Sequence, residues 1–296
     1  MTDTPNNLRR KIEGIEDLNS VVRTMKALAA SSIAQYEEAV HSLGDYARTV
    51  DLALAACLRS TANTASHAET GRRPALKRTR VIVFGTDQGL VGQFNDVLAE
   101  FSLARLNELA GEKIVWSVGE RIHSQLLDSG IAVAGVLETP NSVAGITPLV
   151  GQLLIETEIR QLDHEIPLYL FHNRPKSGPG TVYEPVCLRL LPLDADWRLK
   201  FAASAWPTAN LPETVGDHDA TIRALIREYL FVTLYRACAE SLAAENASRL
   251  AAMQRAEKNI DELLDELSRL FHQLRQRSID EELFDLISGY ESISHN

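Results

Sequence analysis

Between Gly216 and Gly289 the chain contains neither glycine nor proline. Elsewhere both recur, 16 Gly and 11 Pro in 296 residues, so their absence from Asp217 to Ser288 is informative. The stretch reads as one very long helix, or two joined smoothly. At about 1.5 Å per residue it would run for roughly 100 Å, and an ordinary globular domain has no place for such an element. It needs a partner along its length.

The N-terminal segment supplies one. After Pro5 the next proline is Pro74, and only Gly14 and Gly44 interrupt the run to Cys57. Apolar or small residues step by three and four through Ile15, Leu18, Val22, Met25, Ala29, Ser32, Tyr36, Ala39, Leu43, Tyr46, Val50, Ala53 and Cys57. That spacing predicts a heptad seam. The C-terminal rod carries a matching seam at Leu250, Met253, Glu257, Ile260, Leu264, Leu267, Phe271 and Leu274. Its apolar phase then slips by one residue, to Ile279, Leu283, Leu286 and Tyr290. If the middle of the chain is compact, the two rods pair antiparallel. The alternative is a bundle in which turns break each rod, but the C-terminal rod has no turn signal.

The middle changes character. β-rich runs at Arg80–Phe84, Lys113–Val118, Ile131–Val136, Pro167–His172 and Thr181–Leu191 alternate with helical patterns at Phe94–Leu109, Glu120–Ser129 and Thr147–Leu162. Alternation predicts a mainly parallel sheet with covering helices, and the last strand, after a Gly/Pro-rich link, pairs antiparallel as a hairpin. The expected fold class is α/β plus a long antiparallel coiled coil: the terminal helices pair as a rod, with a central Rossmann-like domain. The expected parts are an N-terminal helix over 1–60, a linker over 61–77, the α/β domain over 78–206 and the C-terminal helix over 207–296.

The net charge of −10 argues against a general nucleic-acid binder. Cys57, Cys187 and Cys238 form no CxxC pair, which points away from a disulfide framework or zinc site and toward a reducing compartment. The N-terminus lacks the apolar core of a signal peptide, and no run of 18 apolar residues occurs, so membrane association is expected to be indirect. The string from Gly85 to Asn95 follows a strand and opens a helix, where α/β proteins hold phosphate. Its spacing is neither GxGxxG nor GK[ST]. Thr86, Asp87, Gln88 and Gly89 therefore read as a tight intramolecular turn, with Asp87 as a local polar cap. No histidine sits in a metal motif and no nucleophile–base set assembles, so no catalytic, cofactor or metal residues are assigned.

The rods carry the more specific charges. Arg9, Arg10 and Lys11 open the first, with Arg23 and Lys26 following; Arg275 and Arg277 stand near the end of the second. In an antiparallel hairpin the two groups share one end. A basic tip on an acidic chain implies an acidic protein surface opposite it.

Three strings resemble one family. Leu8–Ile12 with Arg23–Ser31 is similar to the N-terminal helix of the gamma subunits of rotary F-type ATP synthases. Gly85–Asn95 resembles that family's STDRGLCGGLN turn. The stretch from Glu240–Glu245 through Arg249–Met253 to Arg275–Ile279 and Ile287–Gly289 resembles its C-terminal helix. Gln88 and Val91 replace the usual arginine and cysteine, and Asp280 and Tyr290 also depart from the pattern, as in a divergent bacterial branch. The resemblance implies a non-catalytic central-stalk axle that binds no cofactor. Its implied partners are alpha and beta subunits, epsilon and the membrane c-ring, at the cytoplasmic face of a bacterial inner membrane. It implies rotor–stator contacts at Arg9, Arg10, Lys11, Arg23, Met25, Lys26, Arg275, Gln276 and Arg277, and domain-to-rod contacts at Thr86, Asp87 and Gln88. Two other classes stay open on the residues alone: a self-associating coiled-coil scaffold, and a nucleotide-binding enzyme with its site at Gly85–Gly92.

Overall fold

The computed structural model describes residues 4–62, 78–109, 111–157, 166–176, 182–192, 206–208, 210 and 215–294. The expected linker from 63 onward, the start of the last strand at Thr181 and the expected helix end at Leu162 lie outside the described residues. The elements are α1 (Pro5–Ala62), β1 (Arg78–Phe84), α2 (Phe94–Glu108), β2 (Glu112–Val118), α3 (Glu120–Asp128), β3 (Val133–Leu137), α4 (Val143–Glu156), β4 (Leu168–Pro175), β5 (Tyr183–Leu191) and α5 (His218–Ser294). The chain divides into two compact units, 30–249, and 1–29 with 250–296.

The larger unit holds a five-stranded sheet in the order β3-β2-β1-β4-β5. β1 pairs parallel with both β2 and β4, and β5 closes the edge antiparallel to β4. β1 is central, and Val81–Phe84 are all buried, as an unbroken apolar strand covered on both faces should be. Val81 and Val83 pack with Leu98 and Leu106 of α2 and Ile122 and Leu126 of α3. Ile82 and Phe84 face α4 together with Leu230, Leu234 and Leu242 of α5 and Tyr36, Val50 and Leu54 of α1. α4 begins four residues before the expected Thr147 and runs through Pro148. The missing proline donor is tolerated because Ile146, Leu149, Val150 and Leu153 bury one continuous face.

In the smaller unit the two helical segments run antiparallel. Asn19 Nδ2 donates to Asp261 at 3.0 Å, while Arg23 reaches Glu257 at 3.1 Å. Val22, Met253 and Ile260 form its buried centre, with Ile15, Met25 and Leu264 packed against them.

The α5 seam falls as expected from Met253 to Leu274, whose members are buried or half-buried. The α1 seam also falls largely as expected, with two positions turned outward. Val22, Ala29, Tyr36, Val50 and Cys57 are buried, but Leu18 is 52% and Tyr46 46% exposed. Asn19 is buried in place of Leu18, and Leu54 is buried beside the half-buried Ala53. Asn19 faces inward because an acid on α5 accepts its hydrogen bond, a partner the apolar pattern could not reveal. The expected slip at the end of α5 does not carry a buried seam either. Ile279, Leu283 and Leu286 are exposed. Residue 19 faces 261 and 23 faces 257, so pair numbers sum to 280, and Pro5, where α1 starts, falls opposite 280 − 5 = 275. Beyond that point α1 has no residues left to cover α5.

Candidate functional site

The basic residues separate into two environments. Arg9, Arg10 and Lys11 are exposed on the opening turns of α1, where Arg9 pairs with Glu13 at 3.1 Å. Arg275, Gln276 and Arg277 are exposed on α5, at the same end of the smaller unit by its pairing register. Next to them stand the uncovered Ile279, Leu283, Phe284, Leu286 and Ile287. Cations and exposed apolar groups thus share one helical end.

Arg23 and Lys26 are engaged within the chain. Both reach the carboxylate of Glu257, Arg23 through Nε at 3.1 Å and Lys26 through Nζ. The bond from Lys26, reinforced by Arg23, holds the Glu257 carboxyl below the usual glutamate range. Met25 is half-buried between Val22 and the α5 residues. Glu257 is the intramolecular partner that sequence reasoning missed, having counted it only as a seam position. More than two hundred residues separate it from its cations, so no local spacing signals the pairing.

The Gly85–Asn95 turn stitches the carboxyl edge of the sheet together. Thr86 N–H donates to Asn95 Oδ1 at 3.2 Å, and Asn95 Nδ2 returns a bond to Thr86 Oγ1 at 2.8 Å. Thr86 Oγ1 itself donates to the Gln88 carbonyl at 2.8 Å. Asp87 is a cap, but not of the helix it precedes. Its Oδ1 accepts the Glu120 N–H at 2.9 Å, at the N-terminus of α3, where a carboxylate answers free amides and the helix dipole. Its Oδ2 accepts the Thr139 N–H at 2.8 Å and the Thr139 hydroxyl. Gln88 and Gly89 are exposed. Asp87→Asn keeps the shape but cannot accept at both oxygens. It is expected to cost about 2 kcal/mol, read as a lower urea midpoint for the whole chain; an unchanged midpoint would show that the stitch carries no stability.

Sheet order reverses at β1, with β2 on one side and β4 on the other. In open α/β sheets the crevice beyond the carboxyl ends of such strands is where ligands bind. Here α5 occupies it. Ala244 is buried against Val91 and Phe94, and Ser248 Oγ donates to the Val91 carbonyl at 2.6 Å. Asn173 Nδ2 takes the Phe94 carbonyl at 3.0 Å. Thr86, Asp87 and Asn95 of the turn are thus engaged in bonds within the protein. Among the described residues, no three His, Cys, Asp or Glu side chains converge to hold a metal.

A family model described as ATP synthase matches residues 4–293. The ATP synthase gamma chains of Nitrosomonas eutropha and Coxiella burnetii are each 25% identical, over 295 and 292 residues, with 97% of this chain and 98% of each relative aligned. The chain belongs to the ATP synthase gamma-chain family. Solved structures agree on the fold. The Euglena gracilis mitochondrial ATP synthase rotor, in rotational state 1, contains a chain that superposes with a TM-score of 0.59 at 16% identity, covering 93% of this chain and 98% of that one. The central stalk and c-ring structure from Tetrahymena thermophila mitochondrial ATP synthase contains another, with a TM-score of 0.55 at 17% identity, covering 80% and 99%.

In this gamma chain the expected contact set therefore divides. Arg10, Arg275, Gln276 and Arg277 present their side chains outward, while Met25 and Lys26 turn toward α5. Arg23 is paired yet keeps most of its side chain in solvent. Among the described residues, no helix is long and apolar enough to cross a membrane.

Proposed function

We propose that this gamma chain is the central-stalk axle of a rotary ATP synthase, coupling ion flow in a membrane sector to ATP synthesis or hydrolysis in an alpha–beta ring. It performs no catalysis and binds no cofactor itself. Its partners are the alpha and beta subunits, epsilon and the c-ring, and it reaches the bacterial inner membrane only through them. α1 and α5, which starts at His218 and not at the expected 207, form an antiparallel coiled coil, and β1–β5 with α2–α4 form a Rossmann-like domain between them in the chain.

The observation that carries this reading is the uncovered end of α5. Five large apolar side chains stand in solvent beside Arg275 and Arg277, on a chain that is otherwise acidic. An apolar patch of this kind, rimmed by charge, marks a docking surface. A ring closing around it buries the patch, and the basic rim meets acidic ring loops. An asymmetric axle is then a ligand with different affinity for each ring conformation, which is how rotation and nucleotide occupancy become linked.

Native mass spectrometry of the tagged chain drawn gently from its host tests this. The expected species holds alpha and beta subunits around one copy of this chain; a lone chain or a homodimer overturns the assignment. Within the complex, replacing Arg275 and Gln276 with alanine is expected to weaken coupling of ATP hydrolysis to ion transport roughly three- to tenfold. The coiled coil should stay folded by circular dichroism. Unchanged coupling would remove these two residues from the contact set.

A further inference from the structure

The long helix meets the sheet through polar bonds that its apolar packing does not require. On one face of α5, within the larger unit, Ser241, Ala244 and Ser248 recur at spacings of three and four and so lie in one line, with Glu240 flanking it one residue before Ser241. Ser241 Oγ donates to the Phe84 carbonyl at the end of β1, at 3.4 Å, and Ser248 Oγ to the Val91 carbonyl in the turn, at 2.6 Å. His172 of β4 bonds Glu240 Oε2 through Nε2 at 3.0 Å. His172 is 1% exposed, so this ion-pair geometry is buried on the strand side. Burial pushes the Glu240 carboxyl up, but the bonds from His172 and Arg236 outweigh it and hold it below the ordinary range.

Apolar contact alone does not fix a helix in place. Burial energy depends on area and has no direction, so a helix on an apolar bed can turn or slide with modest loss. Hydrogen bonds to fixed carbonyls have direction and fail within an ångström. Two strands, β1 and β4, and one turn hold this part of α5 at two levels, Glu240–Ser241 and Ser248. Ala244, packed between Val91 and Phe94, leaves no bulk that would lift the helix away.

We infer that the Glu240–Ser241–Ser248 group is a register lock, which fixes α5 rotationally and axially on the sheet so that torque passes between α/β domain and axle without slip. This rests on the axle reading above. These are positioning residues, and they touch no nucleotide.

The test uses the whole complex reconstituted in vesicles, with ATP hydrolysis and ATP-driven ion uptake measured on the same preparation. Glu240→Ala with Ser241→Ala and Ser248→Ala removes the lock while keeping the apolar bed. Hydrolysis is expected to stay within about twofold of the parent, while ions moved per ATP fall roughly three- to tenfold. The milder Ser241→Ala/Ser248→Ala pair, with the buried His172–Glu240 contact intact, is expected to show a smaller fall in the same direction. Arg227→Gln, exposed on the same helix, is the matched control and keeps the parental ratio. A parental ratio in both lock variants overturns the inference. So does a proportional fall of hydrolysis and uptake, which is what a merely structural seam would give. If the parent chain fails to enter a ring at all, the axle reading itself falls.

Discussion

Replacing Gly119 with alanine is expected to destabilise the chain by about 3 to 5 kcal/mol, the sum of backbone strain and a steric clash. Gly119 links β2 to α3 at φ +113°, in the region that side chains rarely adopt. A Cβ there would stand 2.6 Å from the carbonyl carbon and oxygen of Thr86, and 2.8 Å from its nitrogen. Those are backbone atoms, and they cannot step aside. Thr86 is held by Asn95 on one side, and its carbonyl accepts the Arg121 N–H at 2.9 Å on the other. Gly130 separates the two causes. It has φ +80° but nothing within 4 Å of its would-be Cβ, so Gly130→Ala carries the strain alone, about 1 kcal/mol. Urea denaturation of the isolated chain, followed by circular dichroism, reads both variants. Equal losses at the two sites would mean that the turn does not press on Gly119 as described.

The same contrast between local and distant causes governs what the sequence revealed. Strand and helix alternation in the middle, the antiparallel last strand and the α5 seam were legible because each rests on local periodicity or on Gly and Pro punctuation. The α1 seam was legible along most of its length, at Val22, Ala29, Tyr36 and Val50 among others, and missed at Leu18 and Tyr46. At Asn19 a polar residue faces inward because Asp261 answers it, and a rule that seeks apolar residues steps to Leu18 instead. Asp87 was legible as a cap, but its recipients, Glu120 and Thr139, lie 33 and 52 residues on, where no spacing rule reaches. The same holds for the candidate contacts. The cluster of cations at one end followed from the antiparallel register, whereas the engagement of Arg23 and Lys26 with Glu257 depends on contacts between helices. Patterns of one residue type predict which face is covered; they do not predict which polar groups meet across it.

Removing Arg249 is expected to produce the other large effect, and one that depends on pH. Glu245 lies almost wholly inside the larger unit, and its bond from Arg249 Nη2 at 2.7 Å is its principal compensation. Burial raises the Glu245 carboxyl above the ordinary glutamate value; Arg249 pulls it back only in part, and Asp87 of the sheet-edge turn pushes it further up. Tyr36 of α1 and Cys238 of α5 feel the same carboxylate, and both are raised by burial first and by Glu245 second. A raised folded value means that the folded state holds its proton more tightly than the unfolded state. The stabilisation this gives is present below the unfolded value and is lost as pH rises through the folded one. Arg249→Met strips away the lowering influence of the guanidinium and leaves a buried carboxylate unpaired at neutral pH, at a cost of about 3 to 5 kcal/mol. As pH falls from about 7.5 to about 5, Glu245 can take up a proton and the deficit relative to the parent should shrink. Comparing variant with parent at each pH cancels the opposite trend of Glu184, Glu240 and Glu257, whose lowered carboxyls lose stability in acid. Adding Glu245→Gln to Arg249→Met removes the charge itself, so the double variant should recover most of the loss at neutral pH and lose the pH dependence. A deficit that is the same at both pH values and indifferent to Glu245→Gln would show that Arg249 acts through its packing, not through the carboxylate it covers.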